Sequence, residues 1–393
     1  MVNPGGPGLS GVQMVTSRAQ STFSQTLLRR FDLIGFDPRG IGANPPVSCG
    51  TDVGKPVPEH VAPRNQAEFN SLMSYDKALL NSCRATTGPL ADHMSGADVA
   101  RDVEAVRLAL GGQPLNWYGT SYGTEIGQRY AELFGNHIRA MVLDAVIDHT
   151  KPALTHLYGS TASAEDTFDR YSAWCRSTPT CPLHGQDSGA VLDEVMRRAA
   201  DHPLQLHGTG YTADRIRSIV YLDLYTPSQG WPNLAQGLAA LRSAPATNAK
   251  PDPVNHNQST LAAICLDWDY TEPSYRDMST VLATAHSLAP HLGINDVAGR
   301  RLRSCQGWPV TDPPHPLRVN NAPAVLLVNS EHDPMTPYTG AVDVSRQIPG
   351  SVLLTYDGDG HTTYTQSACI RDRVDNYLIN LVTPAPNTHC PES

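Results

Sequence analysis

Short apolar runs and longer stretches with helical spacing follow each other along the first part of the chain. The runs at 31–37, 115–118 and 138–144 indicate buried strands, and helical patterns lie between them. The clearest helix is predicted over 95–110, with Ser95 as its N-cap and a Gly-Gly pair after its last apolar position. Strands that alternate with helices predict a mostly parallel sheet with helices on both faces.

This alternation stops near residue 151 and returns near residue 319. Helical segments with Pro-rich breaks dominate between these points, and apolar runs at 322–329 and 351–356 then predict two more strands. The sequence therefore predicts an α/β core in two parts, 1–150 and 319–393, interrupted by a helical lid insertion at 151–318.

The composition narrows the classes of partner. The chain has 393 residues, of which 40% are hydrophobic and 17% charged, and its net charge is -9. These values favour a large buried core, and the acidic surface argues against nucleic acid or an anionic membrane as the partner. No run of 18 apolar residues and no secretory signal are present in the sequence. No HExxH, P-loop or GxGxxG motif indicates a metal or nucleotide cofactor.

The chain contains eight cysteines without CxxC or zinc-type spacing. An even number without metal spacing indicates disulfides and an oxidising compartment, so we expect a secreted protein. The alternative is eight buried free thiols in a cytosolic enzyme.

The segment Gly119-Thr120-Ser121-Tyr122-Gly123 matches GxSxG, the sharp turn between strand and helix that exposes a nucleophilic serine. The pattern alone is weak in a chain rich in Gly and Ser. Here an apolar strand precedes it and an amphipathic helix follows, which favours Ser121 as a nucleophile over a chance turn serine.

A serine nucleophile needs a base, and the base needs an orienting carboxylate. Asp333 follows one predicted strand and His361 follows the next, which gives the order Ser, acid, His that is typical of the α/β-hydrolase fold. Glu331 and His332 are the rival acid and base. The catalytic triad is therefore predicted to be Ser121, Asp333 and His361.

The oxyanion formed in acyl transfer needs N–H donors. We expect one from Tyr122, directly after the nucleophile, and a second from Gly6 in the Gly-Pro-rich loop at residues 4–8. The alternative for that loop is a plain turn. Asp37 and Arg39, at the end of a predicted strand, are interpreted as parts of a structural turn.

Together these motifs resemble the secreted tripeptidyl aminopeptidase-like serine hydrolases of the α/β-hydrolase fold, which are relatives of the proline iminopeptidases. The matching segments cover the chain from end to end: Val2-Asn3-Pro4-Gly5-Gly6-Pro7-Gly8, Asp37-Pro38-Arg39-Gly40, Gly119-Thr120-Ser121-Tyr122-Gly123, Glu331-His332-Asp333-Pro334-Met335-Thr336-Pro337, Gly358-Asp359-Gly360-His361 and Ser367-Ala368-Cys369.

The resemblance implies an exported enzyme that releases short peptides from free N-termini and carries a helical lid over its triad. With neighbour pairing along the chain, it also implies four disulfides: Cys49–Cys83, Cys175–Cys181, Cys265–Cys305 and Cys369–Cys390. An exopeptidase needs a carboxylate for the substrate ammonium, and Asp267 is the candidate, with a surface carboxylate as the alternative reading.

Two further functions stay open at this stage. One is an esterase or amidase that acts on small acyl compounds. The other is a catalytically inactive binding protein left by truncation. Enzymes of this kind have strands before the oxyanion loop, whereas here that loop begins at residue 3, so the first strands are expected to be missing. The partner is then a peptide or a small acyl substrate, and the sequence does not give the oligomeric state.

Overall fold

The structure is a computed structural model that describes residues 1–50, 63–247, 258–270, 274–294, 296–306 and 308–392. Its strands are β1 (Val2–Asn3), β2 (Leu115–Thr120), β3 (Ile138–Asp144), β4 (Leu204–Leu206), β5 (Thr209–Tyr211), β6 (Leu326–His332), β7 (Val352–Asp359) and β8 (Thr388–Cys390). Its α-helices are α1 (Gly11–Thr22), α2 (Gln25–Leu28), α3 (Gln66–Thr87), α4 (Gly96–Ala109), α5 (Tyr122–Phe134), α6 (Ala153–Ser177), α7 (Ser188–Asp201), α8 (Ala213–Asp223), α9 (Pro227–Ser243), α10 (Gln258–Asp267), α11 (Tyr275–Leu288), α12 (Asp296–Ser304), α13 (Tyr338–Gln347) and α14 (Ala368–Asn380).

Six parallel strands form the main sheet in the order β1-β2-β3-β6-β7-β8. The strands β4 and β5 form a separate antiparallel pair. The carboxyl ends of the parallel strands share one edge of the sheet, where ligands and active sites of open α/β sheets lie. The predicted α/β fold with a mostly parallel sheet is confirmed.

Both faces of the sheet are covered because apolar side chains alternate between them along each strand. Trp117 packs on the face of α4, α5 and α13, whereas its neighbour Tyr118 packs with α1, α2 and α14. A strand that is buried on both faces reads as a continuous apolar run, as the sequence of β3 does. Replacing Trp117 by alanine would cost about 3–5 kcal/mol of stability.

One of the predicted strands in the first part of the chain does not form. Ser95 caps α4 as predicted, with its side chain accepting from the amide of Asp98. The predicted strand at 31–37 is wrong, since only Gly35 forms an isolated parallel bridge, with Val2. Its neighbour β1 has two residues, and so short a partner supports no longer ladder.

Helices α6 to α12 all lie between β3 and β6 along the chain, with the β4–β5 pair among them. Helices α6 to α9 surround one apolar cluster. Helices α10 to α12 share another cluster with α3 and the start of α6. The helical insertion, as we call residues 153–304, thus has apolar packing of its own; the exact division at 150 and 318 stays a prediction.

The four predicted disulfides are present: Cys49–Cys83, Cys175–Cys181, Cys265–Cys305 and Cys369–Cys390. Among the described residues, no helix combines the length and apolar character needed to cross a bilayer.

Candidate active site

Ser121 lies in the tight turn between β2 and α5, at the carboxyl edge of the sheet. Its backbone has φ 54° and ψ −122°, which is a costly conformation for a residue with a side chain. Its amide donates to the carbonyl of Asp144 at 3.0 Å. Gly119 permits the turn, because a Cβ there would lie 2.3 Å from the carbonyl oxygen of Gly123.

Asp333 and His361 meet beyond β6 and β7. His361 Nδ1 lies 2.9 Å from both carboxylate oxygens of Asp333. The carboxylate also accepts from the amides of Met335 and Thr336, and from the Thr336 hydroxyl at 2.7 Å. A carboxylate that accepts from so many donors is fixed in orientation, and it directs the Nδ1 proton of the imidazole toward itself.

Two opposing effects act on the pKa of His361. Burial disfavours the imidazolium and lowers the pKa, but the negative charges of Asp333 and Asp144 and the hydrogen bond to Asp333 outweigh burial. The net result is a pKa above the ordinary value of 6.5. The imidazole therefore binds a proton more tightly than a free histidine.

Asp144, the last residue of β3, connects the turn of Ser121 to the loop of His361. Its backbone carbonyl accepts from Ser121, and its buried carboxylate accepts from the amides of Thr363 and Tyr364 and from the Tyr118 hydroxyl. Burial raises the pKa of Asp144, and the hydrogen bonds from Thr363 and Tyr364 oppose the increase. The sequence analysis missed this residue, although an aspartate at the end of an apolar strand was a usable signal.

Ser121 follows β2 and His361 follows β7, and the strands β3 and β6 lie between these two in the sheet. Asp144 bonds to the backbone of both loops, but no hydrogen bond joins the side chains of Ser121 and His361. The Ser121 hydroxyl makes no hydrogen bond with the residues that the structure describes. Catalytic hydrogen bonds are often loose without substrate and tighten in the complex, so this geometry fits a triad at rest.

The loop with the predicted oxyanion donor Gly6 packs directly on the turn of Ser121. A Cβ on Gly5 would lie 2.4 Å from the Thr120 carbonyl oxygen and 2.8 Å from the Tyr122 amide, so the glycine brings the two backbones together. Gly5 itself donates to the Asn3 side chain at 2.9 Å. The Gly6 and Tyr122 amides thus belong to two adjoining backbone segments beside Ser121.

The helical insertion contacts both loops that carry Asp333 and His361. From α6, Ser163 donates to the backbone carbonyl of Asp333 at 2.6 Å. The amide of His361 donates to the carbonyl of Tyr225 at 2.8 Å, and the two rings lie 5.1 Å apart. The insertion therefore borders the carboxyl edge of the sheet at the candidate site.

The rival residues lie outside this arrangement. His332 pairs with Asp166 of α6 at 2.7 Å. Glu331 is exposed and lies with Asp357 and His389, a group whose ligand-type atoms are all within 4.8 Å. This is a possible set of metal ligands on the surface, and it includes none of the three predicted triad residues. Asp37 accepts from Ser10, and Arg39 pairs with Asp102, which are structural contacts.

Asp267 does not lie where a substrate ammonium could reach it. It is the last residue of α10 and fully buried, with one carboxylate oxygen accepting from the Gly96 amide at 2.8 Å and the other from the Tyr122 hydroxyl at 2.7 Å. Because both oxygens are engaged away from solvent, the geometry does not support the expected substrate-binding role.

Comparison with known proteins decides the family. Residues 289–390 match the family model described as TAP-like protein, Abhydrolase_4. The chain is 31% identical to serine protease Hip1 of Mycobacterium tuberculosis, over 99% of this chain and 80% of that protein. It is 33% identical to carboxylesterase B of the same organism, over 99% and 79%. It is 30% identical to tripeptidyl aminopeptidase of Streptomyces lividans, over 99% and 76%.

The chain belongs to the TAP-like family of α/β-hydrolases. The resemblance and the enzyme class inferred from the sequence are therefore confirmed: this TAP-like protein is a serine hydrolase of the α/β-hydrolase superfamily.

Proposed function

We propose that this TAP-like hydrolase cleaves acyl bonds through an acyl-enzyme on Ser121, with His361 as the general base and Asp333 as the orienting carboxylate. The contact of His361 Nδ1 with both Asp333 oxygens at 2.9 Å carries the proposal. Because Nδ1 then holds its proton, Nε2 is left with the lone pair that accepts the serine proton.

Each step then has its group. The Ser121 oxygen attacks the substrate carbonyl carbon while His361 takes the serine proton, and the amides of Gly6 and Tyr122 donate to the oxyanion. As the tetrahedral intermediate collapses, the imidazolium gives its proton to the leaving amine or alcohol. Water then repeats the sequence on the acyl-enzyme and regenerates Ser121.

The substrate we propose is a short peptide with a free N-terminus. Three observations support an exopeptidase. The relatives include a tripeptidyl aminopeptidase and a serine protease, and the insertion borders the site. In this proposal the insertion closes one end of the site, so that the N-terminus of the substrate stops at a fixed distance from Ser121. Secretion is proposed on the four disulfides, which persist in oxidising compartments.

The carboxylate that binds the substrate ammonium is not assigned. In the insertion, Glu165 accepts from the backbone amides of His291 and Leu292, and Asp166 is paired with His332. Asp269 is exposed. A buried ammonium is costly without a carboxylate, so an aminopeptidase must supply one when substrate binds.

An esterase that acts on small acyl substrates is the second candidate, favoured by the 33% identity to carboxylesterase B. The triad chemistry is the same for both candidates. They differ in whether a free amine on the substrate increases the rate.

The decisive experiment compares a tripeptidyl chromogenic substrate, its N-acetylated form and a short acyl ester. We expect the free tripeptide to be cleaved at least about tenfold faster than the acetylated one, because the acetyl group removes the ammonium charge. Equal rates would leave the esterase as the better assignment.

Ser121→Ala is the control for all three substrates. We expect a loss of at least about a thousandfold with an unchanged thermal transition. Activity within tenfold of the parent enzyme would show that another residue is the nucleophile.

A further inference from the structure

Helix α10 of the insertion contacts both backbone segments that we assign to the oxyanion hole. At its first turn, the Thr260 hydroxyl donates to the carbonyl of Pro7, next to Gly6, at 3.1 Å. At its last residue, Asp267 accepts from the hydroxyl of Tyr122 at 2.7 Å. Helix α10 is thus bonded to the loop of Gly6 and to the residue directly after Ser121, although it is distant from both along the chain.

The bond between Tyr122 and Asp267 is fully enclosed. Neither side chain has appreciable contact with solvent, and burial raises the pKa of the Tyr122 hydroxyl well above its ordinary value, so the hydroxyl remains a donor. The second oxygen of Asp267 accepts from Gly96 at the start of α4. The carboxylate therefore ties α10 to the first turns of two core helices.

This arrangement is electrostatically expensive. Glu125 is buried beside Asp267, and burial, with the charge of Asp267, raises the pKa of Glu125 well above its usual range. Burial, with the charge of Asp312, also raises the pKa of Asp267. An apolar residue would fill this place without that cost, whereas Asp267 makes two buried hydrogen bonds, from Gly96 and from Tyr122.

We propose that Asp267 is a positioning residue that holds the Tyr122 amide in its oxyanion-binding orientation through the Tyr122 hydroxyl. The inference rests on the proposed function, since it concerns the donor that the mechanism uses. Tyr122 begins α5 directly after Ser121, so its ring and its amide belong to one short rigid segment. A small displacement of an oxyanion donor lowers the rate, because the bond matters only in the transition state.

The test uses an ester substrate and its thiono analogue, in which sulfur replaces the carbonyl oxygen. Sulfur accepts hydrogen bonds poorly, so the ratio of kcat/KM for oxo over thiono substrate reports donation to the oxyanion. We expect Tyr122→Phe to lower this ratio by about tenfold, with KM for the oxo ester within about twofold of the parent.

Two variants of Asp267 sharpen the assignment. Asp267→Ala should lower the ratio as much as Tyr122→Phe does, and the double variant should add little, because both changes break one bond. Asp267→Asn should keep most of the ratio: its carbonyl can accept from Gly96 while its amide donates to the Tyr122 oxygen. Equal losses in the Ala and Asn variants would contradict positioning through this bond.

Tyr130→Phe is the matched control. Tyr130 lies on the same helix α5, is as deeply buried, and donates to Glu104 at 2.7 Å. Removing the Tyr130 hydroxyl should reduce the stability of the protein as much as Tyr122→Phe does, but it should leave the oxo-to-thiono ratio of kcat/KM unchanged. A fall of similar size in Tyr130→Phe would show that any loosened helix affects the ratio and would overturn the proposal.

Failure of the proposed function gives a different result. If Ser121→Ala kept the parental rate of ester hydrolysis, the assignment of Ser121 as the nucleophile would be wrong, and the positioning role of Asp267 would be wrong as well. If Ser121→Ala were inactive but Tyr122→Phe kept the parental ratio, only the positioning role of Asp267 would be overturned.

Discussion

The parallel sheet and the helical insertion differ in their packing but share the site. The sheet lies between two apolar clusters, whereas the insertion has one cluster of its own around α6 to α9 and shares another with α3. Where they meet at the site, the contacts are largely polar, among them Ser163 with Asp333, Tyr225 with His361, and Asp267 with Tyr122.

The sheet and the insertion contribute different residues to the site. The sheet edge supplies Ser121, Asp333 and His361, whose positions depend on strand ends and on Asp144. The insertion supplies neighbours that bond to the loops of Asp333 and His361. We therefore expect changes in the sheet edge to affect every substrate alike, and changes in the insertion, apart from Asp267, to affect substrate choice and local stability.

The largest effect should come from Asp333→Asn. Without the carboxylate, Nδ1 is no longer held as the donor and the imidazolium loses its partner, so kcat should fall by roughly 10³–10⁴-fold for peptide and ester substrates. Steady-state kinetics on both substrates measure the change. A loss confined to one substrate class would break the division between sheet and insertion.

Asp166→Asn is the matched control, because it removes the carboxylate that pairs with the rival histidine, His332. It should leave kcat within about twofold of the parent, since a partly exposed pair contributes little. A loss as large as that of Asp333→Asn would make His332 the base.

The next effect concerns two bridges, one within the insertion and one that ends directly after it. Removing Cys265–Cys305, which closes 40 residues, should destabilise the folded state by about 4 kcal/mol, against about 2 kcal/mol for Cys175–Cys181, which closes 6. Paired Cys→Ala variants unfolded in urea give both values. An equal loss from the two bridges would show that chain entropy does not dominate this region.

The smallest effect is the pH dependence. The pKa of His361 is raised, and only the neutral imidazole accepts the serine proton, so kcat/KM should begin to fall already above pH 6.5 and drop about tenfold per unit below that pKa. Both substrate classes should share this limb, because the base belongs to the sheet edge. Rates that stay constant from pH 8 to pH 5 would exclude His361 as the base.

Most of the sheet could be predicted from the sequence, because a buried parallel strand is a continuous apolar run whatever its neighbours are. The run at 31–37 failed for a related reason: an apolar run becomes a strand only if a partner offers a ladder, and here β1 offers two residues. Partner length is a property of the fold and is not encoded in the run itself.

The candidate site divides in the same way. Local motifs and chain order predict three catalytic residues, Ser121, Asp333 and His361. The structure places Asp333 against His361. Their catalytic roles stay predictions. For Asp144 the local sequence offers one signal, its place at the end of an apolar strand. The carboxylate contacts of Asp144 and the burial of Asp267 depend on residues more than a hundred positions away, so local sequence does not give them.

The pairing of the cysteines bears on how the chain matures. Each bridge joins consecutive cysteines, 49 with 83, 175 with 181, 265 with 305 and 369 with 390. A chain that enters an oxidising compartment N-terminus first presents each cysteine to its partner before the next pair emerges. The native set can thus form in order of appearance, with no wrong bridge to exchange and little demand on an isomerase.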